Sequence, residues 1–256
     1  MLLFDSHIHL SSQELFGSSV ALIKRSAAVN VKRMVNICTD PPTLQSGIAL
    51  AKNHIEVVNA GAVTPHDVEA SGDSWFPLFE QAAREGVFVA IGETGLEYFY
   101  KDLDRKVQQK WLVRHLHLAA ELQLPVIFHC REAFADLFAI VDEEYPKNAP
   151  ALVHCFTGSV EEAQSIWDRG WLLSFSGIVT YKRSENLRQI AKIAPLNRFL
   201  IETDAPYLAP QSKRGHVNEP AFILETASCI AAVRGVPVEE VAEATYSNAM
   251  RFFHLS

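Results

Sequence analysis

The strongest constraint on this chain is a repeated alternation. A short apolar run ends in a polar residue, and a longer stretch with helical spacing of its apolar residues follows. The runs are Leu2–Asp5, Arg33–Ile37, Glu56–Gly61, Val87–Ile91, Pro125–Phe128, Ala151–Val153, Trp171–Phe175 and Phe199–Ile201. Helical patterns follow them in turn at Ser19–Val29, Pro42–Asn53, Ser74–Glu85, Asp104–Leu122, Phe134–Glu144, Val160–Arg169, Ser184–Ile193 and Ala221–Arg234. Near-continuous apolar runs suit parallel strands buried on both faces, and each spacing leaves room for one crossover helix. Eight such units in 256 residues predict an α/β protein, a single-domain (β/α)8 TIM barrel over residues 1–256. A doubly wound open sheet is the competing fold, but no Gly-x-Gly-x-x-Gly turn follows the first run, so a dinucleotide-binding version has no support. A further helical pattern, Val236–Phe253, is expected to close an edge or end of the barrel.

Composition narrows the function classes. With 48% hydrophobic and 21% charged residues the chain can bury a sizeable core. No apolar run reaches the roughly 18 residues of a spanning helix, and Asp5 and His7 interrupt the start before a signal-peptide region can form, so a cytoplasmic location without membrane association is expected. Four separated cysteines, Cys38, Cys130, Cys155 and Cys229, form no CxxC pair and suggest neither a disulfide framework nor a zinc knuckle. A net charge of −7 argues against gripping long nucleic acid with a basic surface, though it leaves room for a small site whose charge is set by cations.

In a barrel the polar residues at the C-terminal ends of the strands carry function. His7 and His9 follow the first run, and residues i and i+2 of an extended segment share a side, so both imidazoles can reach one metal ion. The pair His115 and His117 is the internal contrast. It falls in a helical stretch where i and i+2 point about 200° apart, and both are expected on the helix surface. Glu93 ends the fourth run, where a carboxylate can bridge two cations, and Thr94-Gly95 after it reads as a tight loop. His129 and His154 end the fifth and sixth runs in equivalent places. Cys130 and Cys155, one residue on, should face the helical layer if the strands persist. Glu202 and Asp204 follow the eighth run, which a closed barrel places beside the first. His7, His9, Glu93, His129, His154 and Asp204 together offer mixed nitrogen and oxygen donors suited to Zn, Mn or Mg.

These residues resemble the TatD family of metal-dependent deoxyribonucleases, within the amidohydrolase-like hydrolases. The similarity is carried by Phe4-Asp5-Ser6-His7-Ile8-His9, Ile91-Gly92-Glu93-Thr94-Gly95-Leu96, Pro125 to Arg131, Val153 to Gly158, Ile201 to Pro206 and Asn218-Glu219-Pro220, in family order. The resemblance implies two divalent metal ions, one held by His7, His9, Glu93 and Asp204 and the other by Glu93, His129 and His154. It also implies 3′-to-5′ exonuclease action, with Asp204 and Glu93 catalytic at the metals and Glu202 in support, on a nucleic acid substrate such as single-stranded DNA 3′ ends. No stable protein partner is inferred. This chain has Thr64-Pro65-His66 where the family often has His-Pro, and Glu97 where Asp often follows Gly-Leu. Arg131, His66, Lys182, Lys213 and Arg214 are candidates for substrate contact. Two other functions compete: ester hydrolysis, as in D-aminoacyl-tRNA deacylation, and a metal-holding scaffold without turnover.

Overall fold

The computed structural model describes residues 1–256. Its strands are β1 (Leu3–Ile8), β2 (Val31–Cys38), β3 (Val57–Gly61), β4 (Phe88–Glu97), β5 (Val126–Arg131), β6 (Ala151–Val153), β7 (Leu172–Phe175) and β8 (Phe199–Ile201). They alternate with helices α1 (Ser19–Ala28), α2 (Pro41–Asn53), α3 (Val68–Arg84), α4 (Arg105–Leu122), α5 (Phe134–Glu144), α6 (Val160–Asp168), α7 (Glu185–Ile193) and α8 (Ile223–Arg234), and α9 (Val238–Phe252) completes the chain. The sheet is eight-stranded in the order β1 to β8, with every pairing parallel. Its two ends meet beyond the last ladder. The Asp204 N–H donates to the His7 carbonyl at 2.9 Å, the His9 N–H to the Ala205 carbonyl at 2.8 Å, and the Ser6 hydroxyl to the Ile201 carbonyl at 3.0 Å. The (β/α)8 TIM barrel is therefore the fold, and the open sheet is set aside.

Two apolar layers explain why the runs read as continuously hydrophobic. Inside the barrel, every strand contributes to a cluster of Phe4, Val35, Ile37, Ala60, Ala90, Ile127, Leu152, Leu172 and Leu200. Ala249, Phe252 and Phe253 join it from the C-terminal helix and its end, and the Phe253 ring stacks on Phe4 with centroids 5.8 Å apart. α9 thus plugs the end of the barrel opposite the functional mouth. A larger layer of 58 buried residues fills the space between strands and helices. No single helix is long and apolar enough to cross a membrane.

Helix starts follow local chemistry. Asp40 accepts from the Thr43 N–H at 2.7 Å ahead of α2, and Ser159 forms a reciprocal capping box with Glu162 ahead of α6. Three local expectations need correction. Thr94-Gly95 is not a loop: β4 runs on to Glu97, with a register irregularity between Ile91 and Thr94 absorbed by the glycines around Glu93. His115 is not on the surface but 1% exposed, because α4 turns that face towards β4. Its Nδ1–H donates to the Trp111 carbonyl at 2.8 Å, and its Nε2 accepts from the Val63 N–H at 3.3 Å. His117, on the other face, is exposed and lies 3.0 Å from Glu144. Cys130 is buried in the layer under the helices as expected. Cys155 is not, because β6 has already ended at Val153 and Cys155 takes φ 44°. It turns inwards, its N–H donating to Glu202 at 2.8 Å and its Sγ lying 3.4 Å from the Ser176 hydroxyl.

Candidate metal centre

The mouth is built where β1 and β4 depart from regular register. β1 is irregular between Asp5 and Ile8, and β4 between Ile91 and Thr94. Bulges of this kind re-aim side chains, and here they bring His7 and Glu93 towards each other across the mouth. The Glu93 Oε2 lies 3.2 Å from the His7 Nε2 and 2.9 Å from the His154 Nε2. The His7 and His154 rings stack nearly parallel, centroids 3.9 Å apart. Asp204, held at φ 56° directly after β8, places its Oδ1 3.3 Å from the His9 Nε2 and 3.7 Å from the His7 Nε2. His129 completes the group, its Nδ1 3.3 Å from the His154 Nε2. All six expected ligands therefore converge, in two adjoining donor sets: His7, His9 and Asp204, and Glu93, His129 and His154.

Whether such a set fits a cation is a question about its unspent donors. Both nitrogens of His7 are buried with no hydrogen-bond partner, and so is the His154 Nδ1. A neutral imidazole has one N–H and one lone pair, so His7 keeps a buried lone pair that no protein donor meets, at a cost of about 1–3 kcal/mol that a cation bound in the cage would relieve. Imidazole nitrogens and carboxylate oxygens aimed at a common centre are what a divalent cation requires. The residues fit it.

Carboxylates behind the cage set its orientation. The Glu97 Oε2 lies 3.1 Å from the His129 Nε2, which places the proton there and leaves the Nδ1 lone pair facing Glu93 and His154. Glu202 is fully buried, held by the Cys155 N–H and by a short hydrogen bond from the Ser174 hydroxyl, with its Oε1 3.5 Å from the His154 Nδ1. Asp5, also fully buried, accepts from the Thr203 N–H at 2.9 Å and from the Thr203 hydroxyl, tying β1 to the segment that carries Asp204. Burial, only partly offset by those bonds, pushes the Asp5 carboxyl up to about 7. Burial and the neighbouring charge of His154 pull the His7 imidazole down to about 4. Burial alone would raise Glu93 and lower His154. Their mutual attraction reverses both, leaving Glu93 well below the usual carboxylate range and His154 well above the usual imidazole range.

The candidate substrate residues separate into two groups. His66 lies 3.6 Å from the Glu97 Oε2 with its ring 5.3 Å from that of His129, so it stands at the cage. Arg131 stands there too, with its guanidinium 3.8 Å over the Phe99 ring and 4.0 Å from Glu97. Lys182, Lys213 and Arg214 sit on the loops after β7 and β8. Their contacts are with Gln211, the Phe222 ring and the Tyr181 ring respectively, rather than with the cage. The Asn218-Glu219-Pro220 motif is a brace: the Asn218 Nδ2 donates to the carbonyls of Thr203 and Tyr207, and Glu219 pairs with Arg25 at 2.7 Å.

Sequence reasoning passed over Asp5 and Glu97 as site residues. Glu97 had a signal: Glu93, Gly95 and Glu97 keep strand parity, so a strand continuing past Gly92 puts both carboxylates on one side.

Comparison with known proteins places this geometry among relatives. Residues 4–254 match the family model described as TatD related DNase. An uncharacterized metal-dependent hydrolase of Escherichia coli K12, YcfH, is 39% identical over all of this chain and 97% of its own length. The 3′-5′ ssDNA/RNA exonuclease TatD of Erwinia tasmaniensis is 34% identical over 99% of this chain and its whole length. The crystal structure of the TatD homolog YjjV from Escherichia coli superposes with TM-score 0.93 at 28% identity, covering 99% of this chain and 98% of that one.

Proposed function

We propose, from the premise that this chain belongs to the TatD-related DNase family of metal-dependent hydrolases, that it hydrolyses phosphodiester bonds at the 3′ ends of single-stranded DNA. One observation carries the reading: the Glu93 Oε2 lies within 3.2 Å of an imidazole nitrogen from each of two donor sets. In this reading His7, His9, Glu93 and Asp204 hold one divalent cation, and Glu93, His129 and His154 hold a second. Bound there, the cations would polarise a phosphoryl oxygen and lower the pKa of water from about 16 towards 7.

The chain's own groups do the rest. Asp204 directs its Oδ1 at His7 and His9, which leaves its Oδ2 to accept the proton of the attacking water. Glu97 holds His129 in the tautomer whose Nδ1 faces Glu93, and the Glu202 carboxylate, 3.5 Å from the His154 Nδ1, favours a proton on that nitrogen and leaves the Nε2 to face Glu93. Arg131 sits at the edge of the cage with its guanidinium stacked on Phe99, and its side chain makes no hydrogen bond closer than the 4.0 Å contact to Glu97. Its fork is free for a phosphate oxygen pair, a contact Lys matches less well. His66 stands beside it and can donate to the same phosphate.

The test is the metal-stripped protein on labelled single-stranded DNA, with Mg2+, Mn2+ or Zn2+ added back and an aminoacyl ester assayed in parallel. Stepwise loss of 3′ nucleotides only with metal supports the reading. Ester cleavage without DNA cleavage moves the chain to the deacylase class, and no turnover on either leaves a scaffold.

A further inference from the structure

Two tyrosines at the mouth do nothing for the fold that the rest of the structure reveals. Tyr100 follows β4 and is 46% exposed; Tyr207 follows β8 and is 53% exposed. With the strands in order around the barrel, β4 and β8 stand opposite each other, so the two rings flank the cage from opposite sides. Each meets an imidazole of the site: Tyr100 lies 5.9 Å from the His66 ring and Tyr207 5.8 Å from the His9 ring. Three of the other four tyrosines spend their hydroxyls inside the protein, Tyr98 on Asp136, Tyr145 on the Pro150 carbonyl and Tyr181 on the Ala209 carbonyl, while Tyr246 packs edge-on against Phe4 away from the mouth. Tyr100 and Tyr207 have no such tie.

The backbone at or beside each is tied down. Next to Tyr100, the Phe99 N–H donates to the Glu97 Oε1 at 2.7 Å; at Tyr207 itself, the Asn218 Nδ2 donates to the carbonyl at 2.7 Å. A rigidly mounted, solvent-facing aromatic ring next to an anion site is the arrangement that unpaired nucleobases stack on, since every base presents a π-face. The guanidinium of Arg131 lies between the Tyr100 ring, 5.8 Å away, and Glu97 at the cage, where a phosphate one step from a stacked base would fall.

The structure assigns Tyr100 and Tyr207 as nucleobase platforms on the two sides of the scissile phosphate, so that they set specificity for unpaired strands. A base inside a duplex has both faces covered by its neighbours and is refused. This rests on the phosphodiesterase reading above and adds residues that select the substrate without taking part in bond cleavage.

The experiment uses the full-length protein and Tyr100→Ala, Tyr100→Phe, Tyr207→Ala and Tyr207→Phe. Binding is read by fluorescence anisotropy of a fluorescein-labelled phosphorothioate oligothymidylate. Turnover is read on oligothymidylates carrying either normal bases or a tetrahydrofuran abasic residue on one side of the cleaved bond. Each Ala variant is expected to weaken binding by about 5- to 150-fold, the loss falling on KM more than on kcat, and each Phe variant to recover most of it. Removing the base that a given tyrosine stacks should cost the wild type a similar factor and the matching Ala variant nothing further. Ala variants that bind and cleave base-bearing strands like wild type overturn the platforms while the nuclease reading stands. A wild type that binds but never cleaves overturns the nuclease reading, and the anisotropy series then decides the platforms alone.

Discussion

Gly95→Ala is expected to separate β4 from β5, the strands that carry Glu93 and His129 of the second donor set. Gly95 pairs with His129 across the β4–β5 ladder and has φ 142°, a region almost closed to residues with a side chain. A Cβ built there lies 2.0 Å from the His129 carbonyl oxygen, a backbone atom that cannot swing away. Ordinary carbon–oxygen contact begins at roughly 3.3 Å, so the strands must part by about 1.3 Å at the residue that carries a proposed ligand. Overpacking of this kind costs about 1–3 kcal/mol and the backbone conformation a further 1–3. Taking about 4 kcal/mol in all, the melting temperature should fall by about 8–16 °C. Gly170→Ala is the control for a positive-φ glycine with no steric conflict. It has φ 76° with nothing within 4 Å of its Cβ, so it meets the backbone penalty alone and should cost about 1 kcal/mol. Circular dichroism melts of both variants, with calorimetric Mn2+ titration of the folded protein, provide the assay. Metal affinity should fall in Gly95→Ala and hold in Gly170→Ala. A Gly95→Ala protein that melts alongside Gly170→Ala and binds metal like wild type would refute the reasoning.

Two further outcomes follow from the buried groups. Glu202→Gln keeps the shape but removes the charge behind His154, and metal affinity by equilibrium dialysis should drop about 10- to 100-fold with the fold intact; unchanged affinity removes Glu202 from the centre. His115, pulled down to about 4 from 6.5 by burial, stays neutral when folded, while the unfolded chain takes up a proton below pH 6.5. Stability should therefore be complete above pH 6.5 and be lost as pH falls towards 4, by about 3 kcal/mol in total. Urea unfolding of wild type against His115→Gln measures this, and equal pH slopes in the two proteins would discount it.

The barrel was legible because a parallel strand covered on both faces must be apolar along its length, and the six candidate donors were legible because each lies at or a few residues beyond the end of such a run. Other features depend on contacts that spacing does not encode. Thr94-Gly95 reads as a loop because glycine is rare in strands, yet here Gly92 and Gly95 let β4 continue past Glu93 to Glu97 while β5 packs close. The His115/His117 pair shows that two faces diverge, but which one turns to the barrel depends on how α4 lies on β4, fixed by Trp111, Thr94 and Val63. Cys155 misleads because strand alternation does not carry two residues past Val153, where β6 ends. Lys213 and Arg214 look like free loop cations in the sequence, and only the structure reveals the aromatic rings beneath them.

The central claim is that Glu93 joins two cation sites. Equilibrium dialysis followed by elemental analysis of wild type and Glu93→Gln in the same Mn2+ or Zn2+ buffer tests it most directly. The account predicts two ions per wild-type chain, at most one weakly held ion in Glu93→Gln, and loss of metal-dependent DNA cleavage with the second ion. Equal metal content and equal cleavage in the two proteins would contradict it.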